Sequence, residues 1–223
     1  TFIAYLASIA CTRTAVRSAA GILLDGPVAP EPRKSLDDEL ALHDQLDDAR
    51  LALENERAFS LSSTAEISNN APWLRGWVRN NMMLMFLDFY DEQIQRLSIP
   101  YSNLVDVPAA AGHRSSWNPL KVLVTLLEPS MASLRESTEH QRAAVRSLRL
   151  LNALQANGPT DASPNLAGLG LPADAWIDPY TGRPLIVRKK PGGWLVYSVG
   201  TNRVDHGGDF VKDADVGFGP SGS

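Results

Sequence analysis

Residues 178–185 read Asp-Pro-Tyr-Thr-Gly-Arg-Pro-Leu and lead toward a second informative stretch, Trp194-Leu-Val-Tyr-Ser-Val-Gly-Thr-Asn202. Apolar residues end the first stretch and begin the second, and Pro191-Gly-Gly193 lies between them. Short apolar runs that flank a turn of this kind predict a β-hairpin. Val216 and Phe218 follow a polar loop and are predicted to add a third short strand.

The loop between the hairpin and the third strand is crowded with carboxylates and glycines. It contains Asp205-His-Gly-Gly-Asp209 and then Asp213-Ala-Asp-Val216. Oxygen ligands on a backbone that can curl are what a hard cation such as Ca²⁺ requires. A solvated loop in which each aspartate caps a turn would have the same composition. The spacing does not match the twelve-residue calcium loop of helix-loop-helix proteins, so both interpretations stay open.

The chain upstream of residue 158 has the patterning of helices. Leu42, Leu46, Ala49 and Leu53 recur at helical spacing, and Gly158-Pro159 is a strong helix stop. A polar stretch at 60–72 is predicted to be a loop. The predicted helices cover residues 2–24, 36–59, 73–97, 120–127 and 131–157.

These elements predict an α+β protein, in which an N-terminal helical bundle is followed by a long helix packed on a small C-terminal antiparallel β-sheet. We expect a helical region at 1–133, a module of one helix and a hairpin at 134–218, and a tail at 219–223.

Four features of the C-terminal module carry a resemblance: the Asn157-Gly158 helix end, the turn at 178–185, Tyr197-Ser-Val-Gly200 and the closing Asp215-Val216. With these features the module resembles the C-terminal half of the major pseudopilin of type II secretion systems. The resemblance implies a pseudopilin-like fold, in which a helix packs on a small antiparallel sheet. It also implies that the acidic loop between the hairpin and the third strand binds calcium.

Carried over position by position, the resemblance assigns calcium ligands to the carbonyl of Val199, the side chain of Asn202 and the carboxylate of Asp215. Asp205 and Asp213 lie close enough in sequence to contribute. Asn202 stands where the family usually has a carboxylate, so one formal charge is lost and a lower affinity is expected.

The whole chain, with Glu56-Arg-Ala-Phe59 in its helical region, resembles a group of membrane-anchored bacterial proteins without an assigned reaction, common in planctomycetes. The resemblance implies a periplasmic or cell-envelope location and a membrane segment upstream of Thr1. It further implies protein partners in a cell-envelope assembly, and a structural or assembly role related to secretion or pilus-like machinery.

Composition bounds the partners. The formal net charge is −4, whereas a nucleic-acid surface usually carries a basic excess, so we expect no nucleic-acid partner. No apolar run within the chain reaches the length of a membrane-spanning helix. A single cysteine, Cys11, excludes an internal disulfide, and its alanine-rich helix favours a small buried hydrophobic role.

We expect no catalytic residues. Ser198 lacks the Gly-x-Ser-x-Gly turn that exposes a nucleophilic serine. Asp205, His206 and Asp209 could form a zinc or iron site, but no second nitrogen or sulfur ligand lies near them in sequence. A metal-dependent enzyme is therefore the least favoured of three functional classes.

The remaining alternative is a helical binding module for a peptide or lipid. Trp73, Trp77 and Phe89 belong to an aromatic and methionine cluster that could form either a hydrophobic core or a partner surface. Burial of these side chains favours a core, whereas exposure favours a surface.

Overall fold

A computed structural model describes residues 2–70, 76–106, 121–158, 164–210 and 214–220, with the backbone alone for 105–106 and 121–126. The described chain is mostly helical and ends in one small antiparallel sheet, which confirms the α+β class. Its main elements are α1 Phe2–Asp25, α2 Pro30–Leu42, α3 Asp47–Asn70, α4 Trp77–Leu97, α5 Lys121–Asn157, β1 Ile186–Lys190, β2 Gly193–Ser198 and β3 Val216–Phe218.

The chain forms two compact units that interleave in sequence. The first unit comprises Thr1–Ala7 and Leu46–Arg135, and the second comprises Ser8–Gln45 and Glu136–Ser223. Helices α1 and α5 therefore contribute residues to both units. The predicted boundary between residues 133 and 134 lies close to the point in α5 where the second unit resumes.

The first unit is built on α3 and α4. Phe89 and Tyr90 meet edge to face, with ring centroids 5.3 Å apart. Trp77, at the start of α4, is instead 67% exposed, so this part of the aromatic cluster is surface rather than core. The buried core of this unit contains Ala49, Leu53, Phe89, Tyr90, Leu97, Met131 and Leu134.

Three predicted helix boundaries are wrong. The predicted helix at 36–59 is two helices, because the chain leaves helical geometry between α2 and α3. The predicted loop at 60–72 is helical through Asn70, since the Thr64 hydroxyl donates to the Ser60 carbonyl at 2.8 Å and Ser68 makes a similar bond. Helix α5 runs through Pro129 without a break.

The predicted hairpin and third strand are confirmed. Strand β2 lies between β1 and β3, and both pairings are antiparallel. Val196 pairs with Val187 on one side and with Phe218 on the other. Every residue of 194–198 is buried, so both faces of β2 are covered.

The middle of α5 is buried on all sides in the second unit. Arg146 and Arg149 are each only 5% exposed, although both carry a charge. Arg146 Nε donates to both carboxylate oxygens of Asp44, at 2.7 and 2.9 Å. Arg149 Nε donates to Asp37 of α2 at 2.8 Å. Buried charges are tolerated when paired in this way.

Helix α1 presents both apolar and polar side chains to its surroundings. Ile9, Val16, Ala20 and Leu23 are buried, whereas Cys11 is exposed, contrary to the expectation of a buried thiol. Among the described residues, we find no helix with the length and apolar composition needed to cross a lipid bilayer.

Candidate functional site

The closing loop, defined here as residues 199–216, leaves β2 through a tight turn. Gly200 has φ of 67°, and a methyl group built on it would lie 2.5 Å from the carbonyl oxygen of Ala214. Only glycine fits such a close backbone approach at positive φ. Asn202 follows in the turn, where its side-chain oxygen accepts a bond from Val204 N at 2.9 Å.

The loop then folds back over one face of the hairpin. Leu195 and Tyr197 lie on the same face because they are two residues apart on a strand. The Tyr197 hydroxyl donates to Asp205 Oδ1 at 2.8 Å, and the ring of Phe210 contacts the Tyr197 ring edge to face. A methyl built on Gly208 would lie 2.9 Å from Leu195, so the loop backbone packs closely on the strand.

Asp205 is held by three donors. Besides the Tyr197 hydroxyl, Gly207 N donates to Oδ1 at 2.8 Å and Arg188 Nη2 donates to Oδ2 at 2.6 Å. Desolvation alone would raise the pKa of Asp205, but the bonds from Gly207 and Tyr197 and the charge of Arg188 outweigh it and lower that pKa. The carboxylate therefore acts as the anchor of the loop.

The same arrangement acts in the opposite direction on Tyr197. Burial, together with the hydrogen bond to the Asp205 carboxylate, raises the pKa of the Tyr197 phenol well above its ordinary value. The guanidinium of Arg188 lies 5.6 Å from the centroid of the same ring. The phenol is thus a hydrogen-bond donor in this structure rather than a candidate base.

Asp215 is the buried carboxylate of the loop. Its side chain has no exposed surface, and its Oδ2 accepts bonds from Gly208 N at 2.7 Å and His206 N at 3.1 Å. The ring Nδ1 of His206 lies 3.7 Å from Oδ1. Three consecutive N–H groups, of residues 206–208, therefore point at Asp205 or Asp215 and fix the path of the loop.

A third carboxylate, which the sequence analysis did not single out, lies under the other end of the hairpin. Asp178 is 3% exposed. Its Oδ1 accepts hydrogen bonds from Ser198 Oγ at 2.8 Å and from Tyr180 N at 2.9 Å. Its Oδ2 accepts a hydrogen bond from Val199 N. The sequence signal was the aspartate that opens the turn at 178–185. The Ser198 hydroxyl therefore donates its hydrogen bond to this carboxylate.

The structure brings only part of the predicted calcium set together. Asp215 is buried at the centre of the loop and Val199 is 7% exposed. The side-chain oxygen of Asn202 accepts a hydrogen bond from the backbone of Val204, and both carboxylate oxygens of Asp205 accept hydrogen bonds from protein donors. Asp213 lies outside the described residues.

Asp205 thus fits a cation poorly in this arrangement. Among the described residues, Asp215 Oδ1 accepts one hydrogen bond, from His206 N at 3.4 Å. Within the described ranges, no three His, Cys, Asp or Glu side chains are grouped so as to hold a metal ion. A site that used main-chain carbonyls and an asparagine would need fewer such side chains.

Comparison of the chain with protein-family models, with curated proteins and with solved structures gives no match. The functional argument therefore rests on the residues of the closing loop, the hairpin and the helices.

Gly200→Ala should destabilise the second unit more than Gly170→Ala does. Both glycines have positive φ, but nothing lies within 4 Å of a methyl built on Gly170. We expect Gly170→Ala to cost about 1 kcal/mol for the left-handed backbone. Gly200→Ala should cost about 1–3 kcal/mol more, because the added methyl overpacks against Ala214. Equal losses in urea unfolding would contradict the described turn.

Asp205→Asn should flatten the acid limb of the stability profile. Folding lowers the pKa of this carboxyl, so the carboxylate contributes its full stabilisation at pH values above the unfolded-state pKa of 3.8. That contribution is lost as the pH falls through the lowered pKa of the folded state. Thermal melts between pH 5 and about pH 2 measure the slope. The effect should be small and weakened by salt because the side chain is 40% exposed.

The matched control is Asp25→Asn, at the exposed end of α1. It should keep the acid slope of the unmodified protein. An Asp205→Asn variant with the full acid slope would show that the bonds from Gly207, Tyr197 and Arg188 do not favour the charged form.

Proposed function

We propose that this chain is a non-enzymatic structural or assembly protein of the cell envelope, related to secretion or pilus-like machinery, with a pseudopilin-like C-terminal module. The observation that carries the proposal is the closing loop folded back on a hairpin beside a long helix. In α5, Ser147 Oγ donates to the carbonyl of Val216 in β3 at 3.3 Å, so the helix contacts the last strand directly.

The sequence features that carry the resemblance make structural contacts in the second unit. Helix α5 ends at Asn157, and the following Gly158 has positive φ and donates to Leu154 O at 3.1 Å. Asp178 opens the turn and binds the end of β2. These hydrogen bonds fix the end of α5 and the start of the hairpin. A module held in this way suits a subunit of an assembly.

The chemistry of the loop supports a structural role. Ser198 donates to the buried carboxylate of Asp178, and Tyr197 donates to the carboxylate of Asp205. These two hydroxyl hydrogen bonds hold the end of β2 and the closing loop in place. A nucleophilic serine is more often activated by a histidine that serves as general base.

We further propose that Ca²⁺ stabilises the closing loop through Asp215, with the carbonyl of Val199, the side chain of Asn202 and Asp213 as further ligands. The support is Asp215 itself, a carboxylate without exposed surface that has the imidazole Nδ1 of His206 3.7 Å from its Oδ1. A cation would neutralise a charge that is costly to bury. Asp205 is left to the protein donors that already hold it.

A helical binding module for a peptide or lipid is the second candidate. Trp77 and Leu84 are 67% and 58% exposed, and they lie seven residues apart, on one side of α4. Phe59 and Ile67 of α3 are exposed as well. Phe89 is buried, and Trp73 lies outside the described residues, so the aromatic cluster is divided between core and surface.

Calcium should raise the thermal midpoint of the protein, because a ligand that binds only the folded state stabilises it. At calcium concentrations of about 100 times the dissociation constant the gain is about 2.7 kcal/mol. Asn202→Asp should increase the apparent affinity by adding a negative ligand, and Asp215→Asn should abolish the shift. Differential scanning calorimetry in calcium and in chelator measures both.

Asp38→Asn, on the exposed surface of α2, is the matched control and should keep the full calcium shift. An unchanged midpoint of the unmodified protein at millimolar calcium would remove calcium from the proposal. The proposed fold and assembly role would stand independently of that result.

A photoreactive residue in place of Trp77 separates the two candidate functions. In native cells, the assembly role predicts crosslinks to cell-envelope proteins from positions on the second unit, such as Arg183, with Trp77 dispensable. A binding module predicts crosslinks to peptide or lipid from position 77 alone. Crosslinks from neither position would contradict both proposals.

A further inference from the structure

We propose that a cleft in the second unit is a binding site for a small oxyanion, a carboxylate or phosphate group. The cleft has a volume of about 80 Å³. Its walls come from α1, α5, the closing loop and β3, and include Arg13, Arg17, Phe210, Asp215 and Phe218.

The two arginines supply the charge. Arg13 and Arg17 are four residues apart on α1, so they lie on the same face of the helix. Within the described residues neither guanidinium takes part in a hydrogen bond or ion pair. Like charges at this spacing repel each other. An anion between them would relieve the repulsion and accept charge-assisted hydrogen bonds.

The other arginines near this region behave differently. Arg142 and Arg146 bind Asp44, Arg149 binds Asp37, and Arg33 binds Asn152. In a chain with net charge −4, carboxylates are plentiful as partners. Two neighbouring guanidiniums that line a cleft without a described protein partner are therefore the groups that an external anion could bind.

Asp215 is the one carboxylate among the described residues that line the cleft. Its side chain has no exposed surface, and its Oδ2 accepts bonds from His206 N and Gly208 N on the loop side. Among the described wall residues, two arginines stand against this one buried carboxylate.

The size and walls of the cleft select a compact ligand group. A volume of about 80 Å³ holds a few water-sized groups, which suits a phosphate or a carboxylate. The rings of Phe210 and Phe218 lower the local dielectric, which strengthens hydrogen bonds from the arginines. A planar guanidinium fits either oxyanion with two parallel bonds.

The test is titration of the purified chain with sodium phosphate and, separately, with sodium acetate, at ionic strength held constant with sodium chloride. Histidine and arginine side-chain resonances report binding by NMR. We expect saturable shifts with at least one of the two anions. The arm that saturates at lower concentration identifies the oxyanion.

Arg13→Gln combined with Arg17→Gln should weaken binding by about a hundredfold or more, because each substitution removes a charge-assisted bond that contributes at least about tenfold. Glutamine keeps the helix propensity of arginine. The matched control is Arg183→Gln, an exposed arginine outside the cleft, which should bind like the unmodified protein.

If the double variant fails to fold, Arg17→Gln alone decides, since this side chain is exposed. It should fold normally by circular dichroism and bind at least about tenfold more weakly. Non-saturable shifts in the unmodified protein, or equal affinity in folded variants of Arg17, would overturn the proposal.

Discussion

The buried ion pair between Arg146 and Asp44 is the interaction on which the second unit depends. Arg146 Nε binds both carboxylate oxygens of Asp44, and its Nη1 donates to the carbonyl of Ile177 at 2.8 Å. One guanidinium therefore joins the end of α2, the middle of α5 and the chain that enters the hairpin. Removing one partner of such a pair typically costs about 3–5 kcal/mol. That is a large share of the 5–15 kcal/mol by which ordinary domains are stable.

The constraint reaches the closing loop through the neighbouring residues. Ile177 precedes Asp178, whose carboxylate holds Ser198 and Val199 at the end of β2. These bonds fix the position at which the closing loop begins. Within the loop, Asp215 accepts hydrogen bonds from the N–H groups of residues 206 and 208. Two buried carboxylates thus organise the backbone around the hairpin. Any ligand of the loop, calcium included, would bind to a frame that these bonds already define.

Local patterns in the sequence predicted the hairpin, the third strand and the helical character of the rest, because each depends on neighbours in the chain. The prediction failed at residues 60–70, where serine and threonine hydroxyls bind helix carbonyls and make a polar stretch compatible with a helix. The acidic loop was recognisable from composition, but Asp178 was missed and the bonds to Asp205 were not foreseeable. The interleaved units, and the cleft that Arg13 and Arg17 line, depend on contacts between distant segments.

The most direct test of this account is a double-mutant cycle on Asp44→Asn and Arg146→Gln, measured by urea unfolding. Trp194 fluorescence is the reporter, in a background where the other four of the five tryptophans are replaced by phenylalanine. Trp194 is buried in β2, so it reports on the hairpin rather than on α2. The account predicts a coupling free energy of about 1–3 kcal/mol between the two sites. It also predicts that either single variant loosens the hairpin along with the helices. A coupling near zero, with an unaltered Trp194 transition, would contradict it.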